Sequence, residues 1–159
     1  MDIIEILNVK TKKDLKGLLK KYSIKYKKRF GAITFSTNIN NYDFTITTEF
    51  QGKLVSIFKF DMNNKEYDYD TMVKNMLALK EKFISLFGNP KIDNTNHFNK
   101  NNISINFVTE LLSLSVTCNN SNEFGSLPTA TIFISNTIQN LNKTHNYRLT
   151  SILGLWIPS

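Results

Sequence analysis

Tyr42, Phe44, Ile46, Thr48 and Phe50 alternate with Asp43, Thr45, Thr47 and Glu49. A period of two, apolar on one side and polar on the other, predicts an antiparallel strand with one buried and one wet face. Ile33 and Phe35 begin the same pattern between Thr34 and Ser36. Gln51-Gly52-Lys53 makes a tight turn, and Leu54 to Phe60 is apolar on both sides, as a more central strand would be. Three strands in meander order follow from this half of the chain.

Helical spacing brackets these strands. Thr11 and Asp14 form a capping-box pair, and Leu15, Leu18, Leu19 and Tyr22 then recur every three or four residues. They predict a helix from Lys12 to Tyr22 with a narrow apolar stripe and a wide lysine face, weakened by Gly17. Residues 2–9 are apolar but too short to separate helix from strand. A longer helix follows the strands: Asp70 caps it and Gly88-Asn89-Pro90 ends it. Met72, Val73, Met76, Leu77, Leu79, Phe83, Ile84, Leu86 and Phe87 cover half its circumference, and Lys74, Asn75, Glu81, Lys82 and Ser85 the other half. Lys80 projects into the apolar arc, so its stem should be buried and its ammonium should snorkel out at an edge; a buried functional lysine is the alternative.

After an Asn-rich loop over 91–102, Ile103, Ile105 and Phe107 restart the period of two. Leu112, Leu114, Val116 and Cys118 continue it, and Ala130, Ile132 and Ile134, with Phe133 opposed, give a sixth strand. Leu141, Leu149, Ile152 and Leu153 have weak helical spacing. The expected fold is α+β: a single domain over 1–159, with an antiparallel sheet of about six strands in α-βββ-α-βββ order and helices packed on one face. A basic segment spans 10–29, and an apolar tail over 149–159 should dock on the body. The two halves share an element order, but their residues do not align as a duplication would require. In element order alone the chain resembles small secretion-chaperone-like α+β domains, which bind other proteins; no residue motif assigns it to a family.

Charge adds what periodicity does not. Ten of the 20 Lys and Arg residues, but only three of the 13 Asp and Glu, lie between Met1 and Arg29. That segment therefore holds the whole net charge of +7, and the rest of the chain is neutral. A neutral body with one cationic segment says where an anionic partner would land. Lys20, Lys21, Tyr22, Lys25, Tyr26, Lys27, Lys28 and Arg29 interleave cations with rings, a composition suited to phosphates and bases. With one Arg among many Lys, such binding would follow the backbone rather than read bases. The plainer reading is a solvated lysine face with Tyr22 packed inward. Asp61, Glu66, Asp68 and Asp70 form an acidic counter-cluster able to pair with it within the fold or across a dimer.

The remaining chemistry is sparse. The acidic stretch lacks the central Gly and terminal Glu of a calcium loop. His97 and His145 have no second ligand at metal spacing, so neither metal nor cofactor is expected. Cys118, the single cysteine, sits on a strand as a buried thiol. No nucleophile elbow or phosphate-cradling glycine loop is present. No apolar run has transmembrane length, and the N-terminus lacks the cationic start of a signal peptide, so a cytoplasmic location is expected. The sequence thus points first to a non-enzymatic interaction protein of inhibitor, immunity or chaperone-like kind. It would bind an acidic protein partner through an open sheet face or edge, with Trp156 as an interface or dimer candidate. A non-specific nucleic-acid binder using 10–30 is the alternative, and an unrecognised enzyme comes third.

Overall fold

The computed structural model describes residues 1–63, 65–95, 101–110, 112–120 and 127–136, and the backbone pairing of 147–149 with 156–158. Its elements are α1 (Ile3–Leu7), α2 (Lys12–Lys21), β1 (Tyr26–Arg29), β2 (Ala32–Ile39), β3 (Tyr42–Gln51), β4 (Leu54–Met62), α3 (Tyr69–Phe87), β5 (Ile92–Asp93), β6 (Asn102–Val108), β7 (Leu112–Asn119), β8 (Thr129–Asn136), β9 (Tyr147–Leu149) and β10 (Trp156–Pro158). The first eight strands form one sheet in the order β1-β2-β3-β4-β8-β7-β6-β5, antiparallel at every step. Two four-stranded meanders thus meet through their last strands, β4 and β8, at the centre.

The fold is α+β as expected, but the sheet has eight strands rather than about six. All six expected strands are present; β1 and β5 are added at the two edges. Their absence from the periodicity has a physical cause. Tyr26–Arg29 is exposed at all four residues, so no apolar side alternates with a polar one. Ile92–Asp93 is two residues long. The segment 2–9, ambiguous in sequence, contains α1, closed by a capping box between Asp2 and Glu5.

Register decides which face is buried. Phe35, Ile46, Phe60, Ile132, Val116 and Ile105 form one row across six strands, all at most 3% exposed. A bulge at Ser56 brings Val55 and Phe58, three residues apart, onto the same side. Ile3 and Ile6 of α1, Leu15 and Leu19 of α2, and Met72, Met76, Leu79 and Phe83 of α3 join this face in a single apolar cluster. Helix α3 lies over the second meander, against β6, β7 and β8. Helix α2 is tied to the first, where the Lys12 N–H donates to Lys53 O at 2.9 Å and the Val55 N–H to Lys10 O at 2.8 Å.

Three features of α3 differ from expectation. Asp68, not Asp70, is its N-cap: its carboxylate accepts from the Thr71 N–H at 2.8 Å, leaving Asp70 in the first turn. Asn75 is buried rather than polar-faced, and its Nδ2 donates to Met62 Sδ at 3.4 Å. Lys80 runs to the sheet edge, but its ammonium ends on a carboxylate there rather than free in water. Its side chain is 14% exposed, and its ammonium meets Asp93 at 2.6 Å and Thr95 Oγ1 at 3.2 Å. The short strand β5 supplies the counter-charge that sequence spacing could not reveal. In the last segment, Tyr147–Leu149 is a strand paired with Trp156–Pro158 rather than helical; Leu141, Ile152 and Leu153 lie outside the described residues.

Candidate functional site

The sheet face opposite the helices has a different chemistry. The row beside the Phe60 row reads Lys27, Thr34, Thr47, Lys59, Phe133, Ser115, Asn106 and Ile92, one residue from each strand. The next row carries Ser36, Thr45, Asp61, Thr131, Thr117 and Ser104. Hydroxyls meet across strands, with Thr34 and Thr47 Oγ1 at 3.3 Å and Ser36 Oγ and Thr45 Oγ1 at 3.4 Å. Asp61 ties the centre together, accepting from Thr131 Oγ1 at 2.8 Å and pairing with Lys59 at 2.9 Å. Phe133 stands in this polar field 40% exposed, two register positions from Ile57. At one end Ser36, Thr37, Asn38, Asp43, Phe44, Thr45 and Asn63 line an open cleft. The Oδ1 of Asn106, on the same face, is buried without a hydrogen-bond partner.

The basic segment does not converge on one surface. Lys20 and Lys25 are exposed, Lys20 on α2 and Lys25 on the connection to β1. Lys21 and Tyr22 bond Glu5 at the surface, Tyr22 being exposed rather than packed inward: the Lys21 ammonium lies 3.0 Å away, and the Tyr22 hydroxyl donates at 2.6 Å. These bonds, from Tyr22 first and Lys21 second, hold the Glu5 carboxyl down at about 2. They also raise the Lys21 and Tyr22 pKa values. The strand then splits the rest. Lys27 and Arg29 share the open face, opposite Thr34 and Ala32, while Tyr26 and Lys28 lie on the helix side, opposite Phe35 and Ile33. Lys28 sits 5.7 Å over the Tyr26 ring. Charged residues on an edge strand also discourage pairing with another copy's edge. The described part of the acidic counter-cluster makes no ion pair with this segment; Asp61 pairs with Lys59 instead.

Trp156 pairs with Leu149 in the two-stranded ladder, separate from the large sheet; its side chain, His97 and His145 lie outside the described residues. Cys118 is fully buried on β7, and burial pushes its thiol up to about 12. Among the described residues no three His, Cys, Asp or Glu side chains gather as a metal site, and no helix is long and apolar enough to cross a membrane. The signal for the open face was present in the sequence, as the polar positions between apolar ones. The signal for Phe30, at the tip of the β1–β2 turn, was hidden because β1 itself carried no pattern.

No known protein family, curated protein or solved structure matches this chain.

Proposed function

We propose that this chain is a non-enzymatic interaction protein that binds a protein partner through the open face of its sheet. The observation that carries the reading is the row from Lys27 to Ile92, a hydroxyl-rich surface spanning eight strands with Phe133 at its centre. An exposed aromatic side chain is an anchor candidate, because aromatic residues are enriched at interfaces, and the groups around it can donate and accept outward. Lys27 and Arg29 at one end favour a partner with acidic side chains there.

The test is site-specific photo-crosslinking in cells, with a benzophenone residue at position 133 or, as control, at Lys16 on the outer side of α2. A discrete adduct from 133 that is absent from 16, and is lost when Lys27 and Arg29 are changed to Glu, supports the reading. Equal adducts from both positions, or none from 133, sink it; an adduct of twice the chain mass identifies a second copy as the partner. The nucleic-acid reading draws less support. A stacking platform needs rings and cations on one face, whereas Tyr26 lies opposite Lys27 and Arg29. Anisotropy against single-stranded and duplex oligonucleotides at two salt concentrations tests it directly: tight, steeply salt-dependent binding would reverse the ranking.

A further inference from the structure

Two hairpins of the first meander have the same two-residue turn geometry and opposite residue choices. Asn40-Asn41, between Ile39 and Tyr42, has φ of 52° and 68°. Phe30-Gly31, between Arg29 and Ala32, has φ of 48° and 82°. Asn tolerates the left-handed region that such turns require; a bulky aromatic residue is disfavoured there. Phe30 gains no burial in return, being 96% exposed, with the Arg29 guanidinium 5.3 Å from its ring. Neither backbone preference nor packing accounts for an aromatic residue at this tip.

Its neighbours in sequence are cationic. No acidic residue occurs between Asp14 and Asp43. Lys25, Lys27, Lys28 and Arg29 make no ion pair among the described residues. Lys27 and Arg29 lie on one face of the strand, Lys28 on the other, and Phe30 follows them at the exposed turn. A nucleic-acid strand lying along one face would meet only part of this set. A flat anionic surface approached end-on meets all of it.

We infer that the β1–β2 hairpin is a membrane-docking tip, inserting Phe30 at the surface of an anionic lipid bilayer while Lys27, Lys28 and Arg29 contact headgroups. The dimensions agree. A strand rises roughly 3.3 Å per residue, so the three cations trail the tip by about 3–10 Å. The headgroup layer on each side of a bilayer is roughly 5–8 Å deep. Ile33, three residues past Phe30, is already in the core, so only the tip enters. One aromatic ring and three cations make a weak, reversible, salt-sensitive attachment. The site shares Lys27 and Arg29 with the open face, but Phe30 and Lys28 belong to the tip alone, so Phe30→Asn and Phe133→Asp tell the two readings apart.

The experiment is flotation of the full chain with phosphatidylcholine vesicles, with or without about 30 mol% phosphatidylserine. Binding is expected only to the anionic vesicles, and weaker at about 0.15 M salt than at low salt. Phe30→Asn, which suits the turn and should fold at least as well, lowers partitioning about tenfold. Changing Lys27, Lys28 and Arg29 together to Gln lowers it about 100-fold. Phe133→Asp, on the open face, leaves it unchanged. An environment-sensitive dye on Phe30→Cys, with Cys118 buried and unreactive, shifts to the blue on binding. The inference is overturned by no attachment to anionic vesicles at low salt, or by attachment that Phe30→Asn leaves intact. It is also overturned if the three cations are required for oligonucleotide binding and not for vesicle binding.

Discussion

Phe60 and Phe133 lie on neighbouring central strands, one register step apart, and face opposite ways. Phe60 is fully buried beneath the helices; Phe133 is 40% exposed among Thr, Ser and Lys. The same eight strands thus carry two surfaces of different chemistry. The covered face is a row of Phe, Ile and Val, where close packing leaves little tolerance for lost volume. The other face uses hydroxyls that bond across strands and keep the ability to bond outward. Stability should therefore concentrate on one face and interaction on the other.

The largest test of that division is a pair of truncations. Phe60→Ala should cost about 3–5 kcal/mol, and Phe133→Ser about 1–2 kcal/mol, in urea unfolding. Comparable losses at both positions would mean that the second face is also core. Next comes the one charge pair tucked against the covered side. Burial pushes the Asp93 carboxyl up, but the bonds from Lys80 and Thr95 outweigh it and hold the pKa below the ordinary value. Lys80→Met should cost about 2 kcal/mol, because Asp93, 26% exposed, loses its counter-charge. A double-mutant cycle with Asp93→Asn isolates the coupling. A smaller effect of opposite sign is expected at Thr48, whose buried Oγ1 has no partner on the covered face. Thr48→Val should raise stability by about 1 kcal/mol, since an isosteric apolar group belongs there.

The smallest effect lies off the sheet, where Glu5 joins α1 to the end of α2. Its pKa is lowered from 4.5 to about 2 in the folded chain. The folded state therefore gains from this carboxylate above pH 4.5, and the gain is lost as the pH falls toward 2. A carboxyl NMR titration should place the midpoint near 2, and Glu5→Gln should flatten the acid limb of the stability profile. An unshifted midpoint would show that the Tyr22 and Lys21 bonds do not persist in solution.

Much of this was legible in the residues. Six strands, the span of α2 and the Gly88 stop of α3 followed from spacing and capping, because those signals are local. The buried Cys118 and the polar face of β3 followed from alternation alone. Edge strands escaped because Tyr26–Arg29 is wet on both sides, leaving no apolar–polar contrast to detect. The burial of Asn75 and the counter-charge of Lys80 escaped for a related reason. Each residue sits on the covered side of α3, and what allows it there, Met62 for one and Asp93 for the other, comes from a strand remote in sequence.

The sequence by itself determined which residues want to be buried, where the chain can turn, and that all the net charge lies before Gly31. Hydrophobic period, capping chemistry and formal charge are properties of neighbours along the chain. Tertiary structure alone decided that β4 and β8 meet at the centre and that Lys27 and Lys28 part to opposite sides. It also decided that Phe30 is left at an exposed tip while Phe60 is buried on the covered face. Those outcomes depend on strand register and on which surfaces come to cover one another, and no local pattern encodes a contact between distant segments.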